Sequence, residues 1–85
     1  MQIQDVPVEE MDGEILCVDR VAENWVYLLM STESNDDLVT IRIKQDLLLS
    51  SLNVQLQELT MAFPCYVSLK KKGSEAVELN VLDWQ

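Results

Sequence analysis

The chain has 85 residues and a net charge of −9 at pH 7, and a chain of this length forms one domain because it is too short to bury two separate cores. An apolar fraction of 48% with two Gly and two Pro excludes a disordered acidic tail and favours a packed domain. The absence of His removes the commonest general base and the Ser–His and Cys–His nucleophile pairs, and two glycines cannot form a Gly-rich phosphate loop, so we expect no enzyme activity.

The first twelve residues predict an extended arm, and the domain proper is predicted over residues 13–85. Pro7 and four acids surround isolated apolar residues in this arm, so no regular element is expected there. Residues 14–21 and 25–32 are rich in β-branched and aromatic side chains, and residues 22–24 between them predict the turn of a hairpin. The centres of both runs are apolar at consecutive positions, which indicates strands covered on both faces.

A third strand is predicted over residues 38–44, after a polar loop at residues 33–37. Val39, Ile41 and Ile43 alternate with three polar residues in this run. Strict alternation is typical of a half-buried strand, so Arg42 and Lys44 are predicted on its wet face.

Residues 47–63 predict the one helix of the domain. The apolar residues of this run recur at the spacing of a helical stripe, at Leu48, Leu52, Leu56, Leu59 and Phe63. Asp46 or Ser50 is the expected N-cap, and Pro64 ends the helix. The alternative is a further strand in which Leu52, Val54 and Leu56 alternate with polar residues.

Two final strands are predicted over residues 65–69 and 76–84, with a lysine-rich turn between them in which Gly73 can adopt positive φ. In the last strand, Val77, Leu79 and Val81 are predicted to face inward. The outward positions then include Leu82 and Trp84, two large apolar side chains where water is expected.

Taken together, these elements predict a small β-rich domain with the order β-β-β-α-β-β. This order and size resemble the OB-fold, a five-stranded, partly open barrel, and the resemblance covers residues 13–84 by topology alone. The alternatives are an SH3-like barrel and an α+β sheet with one helix across its face.

Cys17 and Cys65 both lie in apolar strand-like runs, without CxxC spacing or a signal peptide. We therefore expect reduced core cysteines, no cofactor and no metal site, in a cytoplasmic protein or, for a viral one, a protein inside the host cell. No apolar run reaches the ~18 residues that cross a bilayer, so no membrane contact is expected.

The negative charge lies at one end of the chain. Residues 1–37 carry ten acids and one base, whereas residues 38–85 carry five of each. A negative electrostatic potential attracts basic partners and repels phosphates within about 8 Å at physiological salt. The simplest role of such a surface is to keep the protein soluble.

A protein-binding module is the function that these features favour. The candidate residues are an acidic group and an apolar pair: Glu9, Glu10, Asp12, Glu14, Leu82 and Trp84. An exposed Trp is a strong interface anchor, and a charged rim steers encounter. The partner is expected to be a protein with a basic surface. This chain would bind it either as an accessory subunit or as an acidic inhibitor that mimics DNA. Self-association as a homodimer through an unpaired strand edge is a further option.

The alternative is a single-stranded nucleic-acid-binding protein. An OB-like barrel would place the Lys70, Lys71 and Lys72 turn in a gripping loop, with Trp25 or Tyr27 stacking bases beside Arg42 and Lys44. Because phosphate neutralisation dominates affinity and the chain is acidic, direct contact with nucleic acid is the less expected of the two functions.

Overall fold

The computed structural model describes residues 7–32 and 35–84, with residues 35–37 described by their backbone alone. The elements are β1 (Val8–Ala22), β2 (Trp25–Thr32), β3 (Asn35–Lys44), α1 (Gln45–Leu52), a 3-10 helix (Leu56–Ala62), β4 (Cys65–Lys72) and β5 (Glu75–Trp84). The strands form one sheet in the ring order β1-β2-β3-β5-β4. This compact, barrel-like arrangement confirms the predicted β-rich fold and the order β-β-β-α-β-β.

Strand β1 is long and takes part in two strand pairs. It begins at Val8, inside the segment predicted as an arm, and residues 8–15 pair with β4, whereas residues 13–22 pair with β2. Residues 1–6 of the predicted arm lie outside the described residues. Gly13 belongs to both pairs, and a Cβ at this position would lie 2.4 Å from the Ser31 carbonyl oxygen. Glycine therefore permits the close approach of β1 and β2 at the point where β1 passes from one partner to the other.

A short parallel pairing between β3 and β5 closes the ring of strands. These strands pair in parallel at only two positions, Arg42 with Glu75 and Ile43 with Ala76. The Arg42 backbone N–H also donates a hydrogen bond of 2.9 Å to the Ser74 carbonyl. Gly73 in the adjoining turn has a φ of +61°, as its sequence position predicted.

The core is formed by the inner rows of the strands and one side of the helical segment. The predicted alternation of β3 and β4 is confirmed, with Ile41, Ile43, Cys65 and Val67 buried and the residues between them more exposed. Leu48 of α1 packs into the same core. No polar side chain of the described residues is buried, so the interior is held by apolar packing.

The prediction of one continuous helix over residues 47–63 is wrong. α1 ends at Leu52, because Asn53 takes the left-handed conformation with φ +57° and its N–H caps the last turn. The segment resumes as the 3-10 helix at Leu56, whose side chain is exposed although the predicted stripe included it. Lys44, rather than Asp46 or Ser50, is the N-cap of α1, and no side chain bonds to the free amides there.

Two β-bulges in β5 change which of its residues face inward. Lys70 pairs with Glu78 and Lys71 with Ala76, so Val77 is an extra residue at the first bulge. Its prediction as an inward residue is wrong, because the bulge shifts the alternation and leaves Val77 exposed. The second bulge lies at Leu82, between Val81 and Asp83.

The prediction of core cysteines holds for Cys65 and is wrong for Cys17. Cys65 is buried and Cys17 is exposed, and both thiols are free. A bulge at Leu16, between the pairs Ile15 with Met30 and Cys17 with Leu29, moves Cys17 to the outer side of the ring.

Candidate interaction faces

The predicted acidic segment and the predicted lysine turn lie side by side. Strand β1 runs antiparallel to β4, which sets Glu9 opposite Lys71 and Glu10 opposite Lys70. The Lys70 ammonium lies 3.7 Å from the Glu10 carboxylate and 3.9 Å from that of Glu78. These lysines therefore face carboxylates of neighbouring strands, which weakens them as phosphate-binding groups.

We call the outer side of β5, β4 and the first half of β1 the acidic face. It carries six carboxylates and two bases, at Glu10, Asp12, Glu14, Glu75, Glu78, Asp83, Lys70 and Lys72. The β4 residue Tyr66 lies between two of these carboxylates, opposite Glu14 on one side and Asp83 on the other, and is 40% exposed. Acids from strands far apart in sequence thus surround an aromatic ring.

Leu82 and Trp84 are both exposed, at 58% and 49%. The bulge at Leu82 places Leu82 and Asp83 together on the outer side, next to Tyr66. Trp84 pairs with the buried Cys65, so its predicted place on the outward side beside Leu82 is wrong. The bulge returns it to the inward row, and it is exposed because it lies at the end of β5, at the margin of the acidic face. Its backbone N–H donates a hydrogen bond of 2.9 Å to the Asp83 carboxylate. The acidic segment and the apolar pair, which the sequence places at opposite ends of the chain, therefore adjoin each other.

We call the outer side of β2, β3 and the second half of β1 the cationic face. Its charged residues are the bases Arg20, Arg42 and Lys44 and the acid Asp19, which a bulge places beside Arg20, and its aromatic residues are Trp25 and Tyr27. The Arg20 guanidinium lies 4.3 Å from the Tyr27 ring centroid, and that of Arg42 lies 4.8 Å from the Trp25 ring. Both contacts have cation–π geometry. The described outward positions of β2 and β3 carry no carboxylate.

The borders of the cationic face carry both signs of charge. Arg42 lies 4.0 Å from the Glu75 carboxylate, and Lys72 pairs with Glu75 in the strand register. An open pocket of about 520 Å³ adjoins Trp25 and Lys44, between the β1–β2 turn and the start of α1. Asn24 and Asp46 line this pocket as well. Polar and aromatic groups therefore surround a ligand-sized space at one edge of the face.

Among the described strand residues, acids predominate on one face of the ring and bases on the other. Arg20, the one base among residues 1–37, joins Arg42 and Lys44 on the cationic face because β1 crosses from β4 to β2. Arg20, Tyr66 and Asp83 are not among the candidate residues predicted from the sequence. Alternation does mark Tyr66 as outward, but no local signal shows which residues neighbour it.

The described residues contain no group of three or more His, Cys, Asp or Glu placed to hold a metal ion. Burial, with a smaller contribution from the Glu14 carboxylate, raises the pKa of the Cys65 thiol from 9.0 to about 11. This thiol therefore stays protonated at neutral pH.

Among residues 7–32 and 35–84, no helix is long and apolar enough to span a membrane.

Comparison with known family models, curated proteins and solved structures finds no match to this chain.

Proposed function

We propose that this protein is a non-catalytic binding module whose acidic face docks a basic surface of another protein. The observation that carries the proposal is the position of Tyr66 and Leu82 among the carboxylates of Glu14 and Asp83. Exposed aromatic and aliphatic side chains anchor an interface by burying apolar area, while a rim of one charge steers the partner and sets its orientation. A partner should therefore present lysine or arginine around an apolar side chain.

The accessory-subunit form of this function is better supported than DNA mimicry. Glu10, Asp12 and Glu14 occupy alternate positions of β1, so their side chains point to the same side. Lys70, however, lies against Glu10 and interrupts the row of negative charge. Mimicry predicts that replacing Glu9, Glu10, Asp12 and Glu14 by their amides abolishes inhibition of a DNA-binding protein by this chain. The accessory form predicts no such inhibition by the unaltered chain.

The direct test is a titration monitored by backbone amide NMR shifts. The probe is a short lysine-rich peptide with a single leucine, and its control is the same peptide with glycine in place of leucine. We expect shifts at β1, β4 and β5, tighter binding by the leucine peptide and weaker binding as salt rises. Shifts confined to β2 and β3, or equal binding of both peptides, would contradict the proposal.

Two variants identify the anchor. Leu82→Ala combined with Trp84→Ala should weaken binding of the leucine peptide about tenfold, which corresponds to roughly 1.4 kcal/mol. Val21→Ala is the matched control, since Val21 is 48% exposed and lies outside the acidic face. If the double variant loses more than ~1 kcal/mol of unfolding free energy, its side chains belong to the core and the assignment is wrong.

A second candidate function is single-stranded nucleic-acid binding by the cationic face. It is favoured by the gathering of Trp25, Tyr27, Arg42 and Lys44, four of the seven candidates for this function, on the outer side of β2 and β3. Aromatic rings can stack bases while cations neutralise phosphates. The opposing features are that Lys70 contacts carboxylates and that both rings already contact guanidinium groups.

Fluorescence anisotropy with labelled oligothymidylate and oligouridylate at low salt tests this second function. Binding that weakens in Arg42→Gln but not in Lys70→Gln would place the strand on the cationic face. No binding at tens of micromolar would remove the candidate, since non-specific nucleic-acid affinities of about 10⁻⁴–10⁻⁶ M at physiological salt strengthen as salt falls.

A further inference from the structure

The acidic and cationic faces are complementary in charge and lie on different sides of the ring. We propose that the cationic face of one copy docks on the acidic face of a second copy, so that the chain associates head to tail. The inference rests on the proposed function, because it names a second copy as a partner of the acidic face.

The cationic face has donors that suit carboxylates. A guanidinium stacked on an aromatic ring keeps the N–H groups at its edge, and these can bond to a carboxylate in the plane of the fork. Arg20 is held over Tyr27 and Arg42 over Trp25, at 4.3 and 4.8 Å from the ring centroids. Stacking restricts both side chains before binding, so less rotamer entropy is lost when they contact a partner.

The acidic face has the matching acceptors and an apolar centre. Six carboxylates and two lysines lie on its outer positions. Tyr66 and Leu82 are 40% and 58% exposed in this group. They can pack on apolar parts of the cationic face, such as Leu29 and Leu38, which share its outward side. Both faces thus combine apolar surface with charges of opposite sign, which is the composition of a specific interface.

The position of the two faces determines the type of assembly. In the ring order, β2 and β3 lie across from β4, and β1 alone contributes to both faces. When the cationic face of one copy contacts the acidic face of a second, the acidic face of the first and the cationic face of the second stay free. Further copies can therefore add at both ends. Such a heterologous contact forms a ring or a filament, unlike a two-fold dimer.

The net charge of −9 opposes association at long range. At physiological salt the screening length is about 8 Å, so repulsion between distant charges is reduced while pairs at contact distance persist. We therefore expect weak association, with dissociation constants of about 10 µM to 1 mM. The association should be strongest at intermediate salt, where long-range repulsion is screened before the contact pairs are.

The test is sedimentation velocity on the unaltered chain and on two neutralised variants. Arg20→Gln with Arg42→Gln removes charge from the cationic face, and Glu14→Gln with Asp83→Asn removes it from the acidic face. The unaltered chain should form species larger than a dimer at high concentration. Each variant alone should be monomeric, and an equimolar mixture should form 1:1 dimers that grow no further, because one intact face of each kind is then present.

Three outcomes would overturn the inference: an unaltered chain that is monomeric to about 1 mM, a variant that self-associates as strongly as the unaltered chain, or a mixture that stays monomeric although melting curves show both variants folded.

Binding of the lysine-rich peptide distinguishes failure of head-to-tail assembly from failure of the proposed function. The Arg20→Gln, Arg42→Gln variant keeps the acidic face and should still bind the peptide. Peptide binding without self-association would overturn head-to-tail assembly alone, whereas loss of both would overturn the proposed function as well.

Discussion

The Glu10 carboxylate lies 3.7 Å from the Lys70 ammonium across strands β1 and β4. This pair joins the most acidic part of the sequence to its lysine cluster on one surface. Both side chains are substantially exposed, so the pair contributes little to stability. Its main effect is on the electrostatics of the acidic face, where Lys70 is one of two bases.

Replacing this base should strengthen binding to a basic probe. Lys70→Gln leaves the carboxylates of Glu10 and Glu78 unpaired on the surface, so affinity for the lysine-rich peptide should rise about two- to tenfold. The free energy of unfolding should change by no more than about 0.5 kcal/mol. Peptide titration and urea unfolding measure the two quantities. Lys44→Gln on the other face is the control, and a similar gain there would indicate a non-specific effect of net charge.

A side chain at Gly13 should destabilise the fold. The Cβ of Gly13→Ala would lie 2.4 Å from the Ser31 carbonyl oxygen and 2.7 Å from the Met30 methyl group. Because backbone must shift to relieve the first contact, we expect a loss of about 1–3 kcal/mol in urea unfolding. Gly73→Asn is the control, since no atom lies within 4 Å of its Cβ position and Asn tolerates positive φ. Equal losses in both variants would show that the close strand contact is not the cause.

The break in the helical segment predicts different effects for two leucines of the same sequence stripe. Leu48 is fully buried, whereas Leu56 follows the break at Asn53 and is 45% exposed. Leu48→Ala should cost about 2–5 kcal/mol of unfolding free energy by leaving a cavity. Leu56→Ala should cost about 0.5 kcal/mol or less. Similar large costs for both would indicate one continuous helix with both residues in the core.

The two cysteines should differ in their reactivity towards a thiol reagent. Cys17 is exposed, whereas Cys65 is buried and its thiol pKa is raised to about 11. Ellman's reagent at neutral pH should therefore modify one thiol in the folded protein and both in denaturant. Cys17→Ser should abolish the reaction of the folded protein. Fast modification of Cys65 in that variant would show that its strand opens readily.

The same thiol should make stability fall at alkaline pH. Unfolding exposes Cys65 and returns its pKa from about 11 to near 9.0, so the unfolded state releases a proton that the folded state keeps. The contribution of this thiol to the free energy of unfolding is complete below the unfolded-state pKa of about 9.0. It is lost as pH rises towards the folded-state pKa of about 11, by up to about 2–3 kcal/mol. Urea unfolding from neutral to alkaline pH measures this slope. Cys65→Ala should show a shallower slope, and an unchanged slope would assign the effect to other groups.

Periodicity alone predicted most of the elements, because each depends on local spacing. The alternation of Val39, Ile41 and Ile43 identifies a half-buried strand whatever lies beside it. The positive φ of Gly73 likewise follows from the residue and its place in a turn. The same reasoning failed at Asn53 and Val77. A left-handed residue or a bulge shifts the phase of the side chains without changing the composition of the segment.

Charge composition was evident from the sequence, but its arrangement was decided by the tertiary structure. The count of ten acids and one base in residues 1–37 holds in any fold, and it predicted an acidic protein with an acidic first part. Strand pairing then set Glu10 against Lys70 and carried Arg20 to the side of Arg42. These partners are far apart in sequence, and their register is set by which side chains fill the core. No local pattern encodes that choice, so the acidic and cationic faces exist only in the folded ring.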